Sequence, residues 1–177
     1  MKGARWWIFA VLLVVGGVLT DSALAKAGSY ELTKDNVMDV KSFTSSDISL
    51  FGVKLGDPEG EAVDILVNEK IAGVKAEVEG TFVLLVDPRK PTGAMAGVRL
   101  IDGRVDLIFI NNRFAFKTRG VFRSVLNSGN LNEVRRFLGK EDYSDEVATG
   151  FALVYEQLGL QVNYLGKDIN VEFSFPQ

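Results

Sequence analysis

Apolar positions along this chain follow first a helical and then a strand period, and the whole series occurs twice. In the first pass Ala62, Val63, Ile65, Leu66 and Val67 share one helix face, residues 82–86 run apolar, and residues 97–110 give two apolar stretches around Asp102 and Gly103. The second pass keeps that order. It reads Val134, Phe137 and Leu138, then Phe151, Leu153 and Val154, then apolar alternation through 159–175. The offset between matching positions is 72 from Leu66 to Leu138, 69 from Phe82 to Phe151 and 64 from Phe109 to Phe173. A slowly drifting offset is what a duplicated unit with altered loop lengths leaves behind.

The pattern predicts a helix over 58–69. Asp57 is placed to accept its free amide hydrogens, Pro58 suits the first helical position, and Glu59 and Glu61 favour the positive end of its dipole. Strands are expected at 73–79, 81–86, and 98–101 paired with 105–110 across Asp102-Gly103, a dipeptide whose residues both tolerate positive φ. The Gly-rich link 87–97 reads as an exposed loop. In the second pass helices are expected at 119–127 and 131–138, the latter capped by Asn130 with Glu133 and ended by Gly139. Strands follow at 150–156, 159–165 and 168–175, where Leu160, Val162, Tyr164, Val171, Phe173 and Phe175 alternate with polar residues. The expected class is α+β: two tandem α-β-β-β repeats, 48–112 and 113–177, forming one antiparallel sheet of six to eight strands with helices packed on one face. Residues 26–47 read as an N-terminal arm docked on that domain, extended over 30–33 and with a short helix after Asp35 or Asn36 that uses Val37 and Val40.

The first 25 residues carry a different signal. Lys2 and Arg5 precede an apolar stretch over 6–19, and Ala23-Leu24-Ala25 offers small residues at the positions a signal peptidase inspects. A spanning helix needs roughly 20 apolar residues, and Asp21 comes too soon. Residues 1–25 are therefore expected to be a cleaved signal peptide, with an uncleaved membrane anchor as the alternative. The expected location is periplasmic or secreted, with association at a membrane if the anchor is kept.

Composition narrows the chemistry. The chain has neither His nor Cys, which leaves no ordinary zinc or copper site, no haem ligation by the usual residues, no Cys nucleophile and no Ser-His-Asp triad. Beyond residue 25 there are 18 Lys and Arg against 22 Asp and Glu, a balance unlike that of a nucleic-acid binder. Asp57, Glu59, Glu61 and Asp64 offer carboxylates to Ca²⁺, but helix capping explains the same residues and the EF-hand spacing is missing. The 87–97 link lacks the Lys-Ser or Lys-Thr of a phosphate-binding loop. Glu156 with Glu172, or Asp102 with Asp106, are candidate carboxylate pairs of a glycosidase. The sizeable charged group is basic: Arg113, Lys117, Arg119, Arg123, Arg135, Arg136 and Lys140, interrupted only by Glu133.

Gly52-Val53-Lys54-Leu55-Gly56-Asp57-Pro58 ahead of a helix ending in Ile65-Leu66, and Leu138-Gly139 closing a second helix, add a resemblance. With the tandem order of helices and meander, residues 50–175 resemble the β-lactamase-inhibitor-protein-like fold, whose single-unit relatives include small lipoproteins of outer-membrane assembly. The chain departs from that group in lacking disulfides and an acylated Cys. What the resemblance implies is protein binding without catalysis; from the residues themselves no cofactor or metal is expected. The expectation is an exported, non-enzymatic envelope assembly factor or peripheral subunit of a membrane complex, whose basic residues meet a protein partner or an anionic surface. A carboxylate-dependent hydrolase of envelope polymers is the competing class.

Export has a direct readout. Intact mass of the protein purified from its native cells is expected to place the first residue at Lys26, and carbonate extraction to release it; a chain starting at Met1 and retained in membranes would mean an anchor.

Overall fold

A computed structural model describes residues 30–36, 43–68 and 71–177. Two short strands, β1 (Tyr30–Glu31) and β2 (Ile48–Ser49), pair in parallel. Eight more build one antiparallel sheet: β3 (Lys75–Glu79), β4 (Phe82–Val86), β5 (Ala96–Ile101), β6 (Arg104–Asn111), β7 (Tyr143–Val147), β8 (Gly150–Tyr155), β9 (Leu160–Leu165) and β10 (Asp168–Ser174). Across the sheet the order is β3-β4-β5-β6-β10-β9-β8-β7. The chain walks inward from one edge to β6, leaves through helices, and walks inward again from the opposite edge to β10. The helices are short: α1 (Glu59–Val63), which continues as a wider π-type turn over Asp64–Asn68, α2 (Gly120–Leu126) and α3 (Leu131–Leu138). No described helix is long and apolar enough to cross a membrane. The class is α+β.

Alternation along the strands builds the core. Leu85, Ala96, Ile110, Val171, Val162 and Leu153 face the same side in successive strands and are buried. Ala62 and Leu66 from the first helical segment, Phe122 and Val125 from α2, and Val134 and Leu138 from α3 cover them. Phe122 is the junction. Its ring lies 4.9 Å from Phe173, 5.8 Å from Tyr30 and 5.9 Å from Phe43, tying α2 to the central strand β10 and to the arm. The arm is thus docked, with Tyr30, Leu32 and Phe43 buried; the helix expected around Val37 and Val40 lies outside the described residues.

The hairpin and cap signals hold. Asp102 and Gly103 take φ of 51° and 73° between β5 and β6, and Asn130 Oδ1 accepts from Glu133 N at 3.1 Å at the start of α3. Other expectations fail for identifiable reasons. Asp57 does not cap α1: its Oδ2 accepts from Lys54 N at 2.7 Å, because residues 56 and 57 are bridged to the end of β6 through Gly56 N to Val105 O and Val105 N to Asp57 O. Pro58, still extended, holds the cap position. The helix expected over 58–69 is α-helical only to Val63. The 87–97 link is shorter than expected, since Ala96 and Gly97 belong to β5 and are buried. Phe175 lies beyond β10, half exposed. Strand β7 is a strand beyond those expected: Tyr-Ser-Asp-Glu-Val shows no apolar alternation and is exposed throughout.

The offset alignment is also out of step. Phe82 faces away from the helices, beside buried Val83, whereas its match Phe151 shares the helix side with Leu153. Phe109 and Phe173 differ in the same way, for Phe173 stands opposite Ile108 and Phe109 opposite Glu172. A slip of one residue reverses the face of a strand, so offsets of 68 or 70 and of 63 or 65, rather than 69 and 64, match buried residues with buried residues.

Gly97 is required for a different reason than turn geometry. A Cβ there would collide with the Val83 carbonyl oxygen and come within 2.9 Å of the Phe109 ring, which lies over the gap. Strand propensity alone makes Gly97→Ala stabilising. Close packing instead predicts a loss of about 1–3 kcal/mol, read as an earlier urea midpoint at unchanged slope.

Candidate functional site

Helices cover one side of the sheet; the other side carries the half-buried residues that pack outside the core cluster. Because every strand alternates, one row on that open side can be followed through the register from edge to edge: Glu77, Leu84, Gly97, Phe109, Glu172, Gln161, Val154 and Tyr143. The row changes character at the β6–β10 seam. On the first half Phe82, Leu84, Leu107 and Phe109 are half buried, Val86 is buried, and the rings of Phe82 and Phe109 meet edge to face at 6.5 Å across Gly97. The signal for this patch was present in residues 82–86 and 107–110, which are apolar without alternation and so must place apolar groups on both sides.

Beside the patch the charges are fixed in place. Arg99 Nε lies 3.0 and 3.1 Å from the two carboxylate oxygens of Asp106, with Nη2 at 2.5 Å from Oδ2. A register shift between Arg99 and Leu100 leaves Asp106 as the extra residue on β6, and the bulge aims its carboxylate at Arg99. Past the seam, Glu172 Oε1 accepts from Asn163 Nδ2 at 3.0 Å and from Asn170 Nδ2 at 2.6 Å, while Gln161 Nε2 donates to Asn163 Oδ1 at 2.7 Å. Burial nevertheless pushes the Glu172 carboxyl above its ordinary value, outweighing the Asn170 hydrogen bond, the Arg99 charge and the Asn163 hydrogen bond that favour its anion.

The basic residues expected to form a docking face are put to several separate uses. Arg113 donates to the carbonyl oxygens of Thr92 at 2.6 Å and Gly93 at 3.1 Å, clasping the β4–β5 loop. Lys117 donates to Ala72 O, and Arg119 to the carbonyls of Phe116 and Thr118, each at 3.1 Å. Arg135 forms a two-pronged pair with Glu141, whose carboxyl is held below the usual range by that contact. Arg136 lies 4.9 Å over the Phe137 ring. Arg123, Arg136 and Lys140 are exposed and carry no ion pair among the described residues.

The carboxylate candidates are likewise engaged one at a time. Asp57 accepts from Lys54 N and Asp64 from Asn68 Nδ2 at 2.7 Å, and no group of three or more metal-ligating residues converges among the described residues. Asp106 is neutralised by Arg99, Asp102 sits in the β5–β6 turn, and Glu156 lies in the turn after β8, away from the row that holds Glu172. No family model, no curated protein and no solved structure matches this chain.

The raised Glu172 carboxyl has a pH signature. The folded state holds that proton to higher pH than the unfolded chain, so this group lowers stability as pH rises from about 4.5 through its folded value. Gln in its place keeps the Oε1 acceptor. Glu172→Gln is expected to raise the urea midpoint at pH 7, with the gain shrinking toward pH 4; a gain equal at both would remove the titration as its cause.

Proposed function

We propose that this chain is an exported, non-enzymatic protein-binding module, an envelope assembly factor or peripheral subunit of a membrane complex, and that its contact surface is the open side of the sheet. The observation that carries the reading is the patch of Phe82, Leu84, Leu107 and Phe109, half exposed on the side away from the core and bordered by the Arg99–Asp106 pair and the Glu172 network. Apolar side chains grouped in this way, with oriented charge at the rim, are what a protein interface needs. Arg123, Arg136 and Lys140, on the helix side, are in this reading an auxiliary contact to an acidic partner or anionic surface, which supplies attraction at low salt more than affinity.

The sheet order supports a further proposal, that the two halves are copies of one unit. Each is a helical region followed by a four-stranded meander, and the halves meet through their last strands, β6 and β10. Two such units sharing one sheet are also what the resemblance to the β-lactamase-inhibitor-protein-like fold implies.

Photocrosslinking in the native envelope tests the surface. A benzophenone side chain in place of Phe82 is expected to give one discrete adduct. Leu84→Lys should remove it, since truncating or charging a central apolar contact costs about 2 kcal/mol or more, roughly 30-fold in affinity. The double change Arg123→Glu and Arg136→Glu should leave the adduct in place and alter only its salt dependence. Adducts formed from position 123 or 136 but not from 82 would move the interface to the helices.

A further inference from the structure

The second edge of the sheet differs from the first. Strand β3 at one edge pairs Lys75 Nζ with Glu77 at 2.8 Å, leaves Glu79 at its end, and turns Ala76 and Val78 to the helix side. Strand β7 at the other edge pairs only with β8 and is exposed along all five residues. Its Asp145 and Glu146 make no ion pair among the described residues.

The ground beside β7 is hollow. Glu146 stands opposite Phe151 in the ladder and so shares the helix side with it, yet Phe151 is 40% exposed on a side where Leu153 and Tyr155 of the same strand are buried. A cavity of 470 Å³ opens there, lined by Leu131, Arg135, Thr149, Gly150, Phe151 and Tyr164. Its walls are held: Tyr164 donates to Gly129 O at 2.7 Å, and Arg135 is neutralised by Glu141. The site therefore presents an outer edge that no described strand pairs, a carboxylate opposite Phe151 in the ladder, and the aromatic hollow that Phe151 lines. Those are the parts needed to take in a strand and one long cationic side chain, whose stem packs on Phe151 while its charge meets Glu146.

We infer that β7 accepts an extended, basic segment of a partner polypeptide as a ninth strand, with a Lys or Arg side chain beside Glu146 reaching into the Phe151–Tyr164 hollow. A second copy of this chain is the poorer occupant. Antiparallel self-pairing centred near Asp145 sets acidic residues against acidic residues, which is destabilising, and charged edges are how sheets refuse one another. The same two carboxylates attract a basic strand. This site is separate from the open side of the sheet, and neither depends on the other.

A labelled peptide of alternating Lys and Val, titrated against the full chain by fluorescence anisotropy, tests it. The peptide should bind, an alternating Glu and Val peptide should not, and Glu146→Lys should weaken binding by about fivefold, the scale of one partly exposed charge pair. N-methylation of one alternate set of peptide amides should abolish binding while methylation of the other set is tolerated, because an added strand uses only one of its edges. Amide exchange in residues 143–147 should slow when the peptide binds. Leu84→Lys should leave all of this unchanged, so a failure here and a failure of the open-side interface are told apart. Equal tolerance of both methylated peptides, unaltered exchange in β7, equal binding of the acidic peptide, or dimerisation of the chain through this edge in sedimentation would each overturn the inference.

Discussion

Everything else in this molecule hangs on the pairing of β6 with β10. Those two strands meet in register from Asn111 against Asn170 to Leu107 against Ser174, and without them the protein is two four-stranded meanders with an exposed edge each. The contact joins residues about sixty apart, so its loop-closure cost falls before any gain arrives. The chain has no cysteine to share that burden. The gain has to come from burial on the helix side, where Ile108, Ile110, Val171 and Phe173 from the two strands are packed beneath Phe122 and its neighbours. The arm then locks the lid: the Tyr30 hydroxyl donates to Arg119 O at the entrance to α2, and Gly120, at φ of 60°, leaves room for that hydroxyl where any Cβ would collide with it.

A buried carboxylate sets the arm in turn. Glu31 is nearly inaccessible, and its two oxygens accept from Thr33 N, Thr33 Oγ1, Ser49 Oγ, Phe51 N and Gly52 N at 2.8–3.1 Å. A buried carboxylate is tolerable when its oxygens are met by this many donors. The turn it organises contains Phe51 at φ of 54° and Gly52 at 93°, and it returns the chain to Val53, which bridges Leu50. The order of dependence runs from the central seam to Phe122, from Phe122 to the arm, and from Glu31 to the approach that precedes α1.

The sequence announces this architecture where one local rule decides the outcome. Asp102-Gly103 makes its turn because both residues accept positive φ; Asn130 caps α3 because its side chain reaches Glu133 N; Gly139 ends α3 at φ of 88°. Where two rules compete, local reading loses. Asp57 is a good cap on paper, but the bridge from residues 56 and 57 to Val105 leaves its side chain facing the 54–57 turn. Of the seven basic residues, Arg113 and Lys117 meet carbonyls more than twenty residues away, which only the fold brings near, whereas Arg119 and Arg135 find partners within six residues in Phe116 and Glu141. An edge strand without apolar alternation, β7, leaves no periodic trace at all.

The apolar half of the open side is the least economical feature of the fold. Strand β4 and the middle of β6 need alternate residues for the core, and those positions are filled by Val83, Leu85, Ile108 and Ile110. Nothing in the core asks for Phe82, Leu84, Leu107 or Phe109 on the other side, and polar residues hold the equivalent places on β9 and β10, as Gln161, Asn163, Asn170 and Glu172 show. Both halves keep an intact ladder, so the ladder does not require apolar groups there either. Apolar area left in water forgoes about 25 cal/mol per Å² relative to burial, which for four large side chains is a sizeable share of the 5–15 kcal/mol typical of a whole domain. Half buried as they are, these four side chains realise only part of that gain in the chain alone, and under the proposed reading the remainder is realised when a second surface covers them.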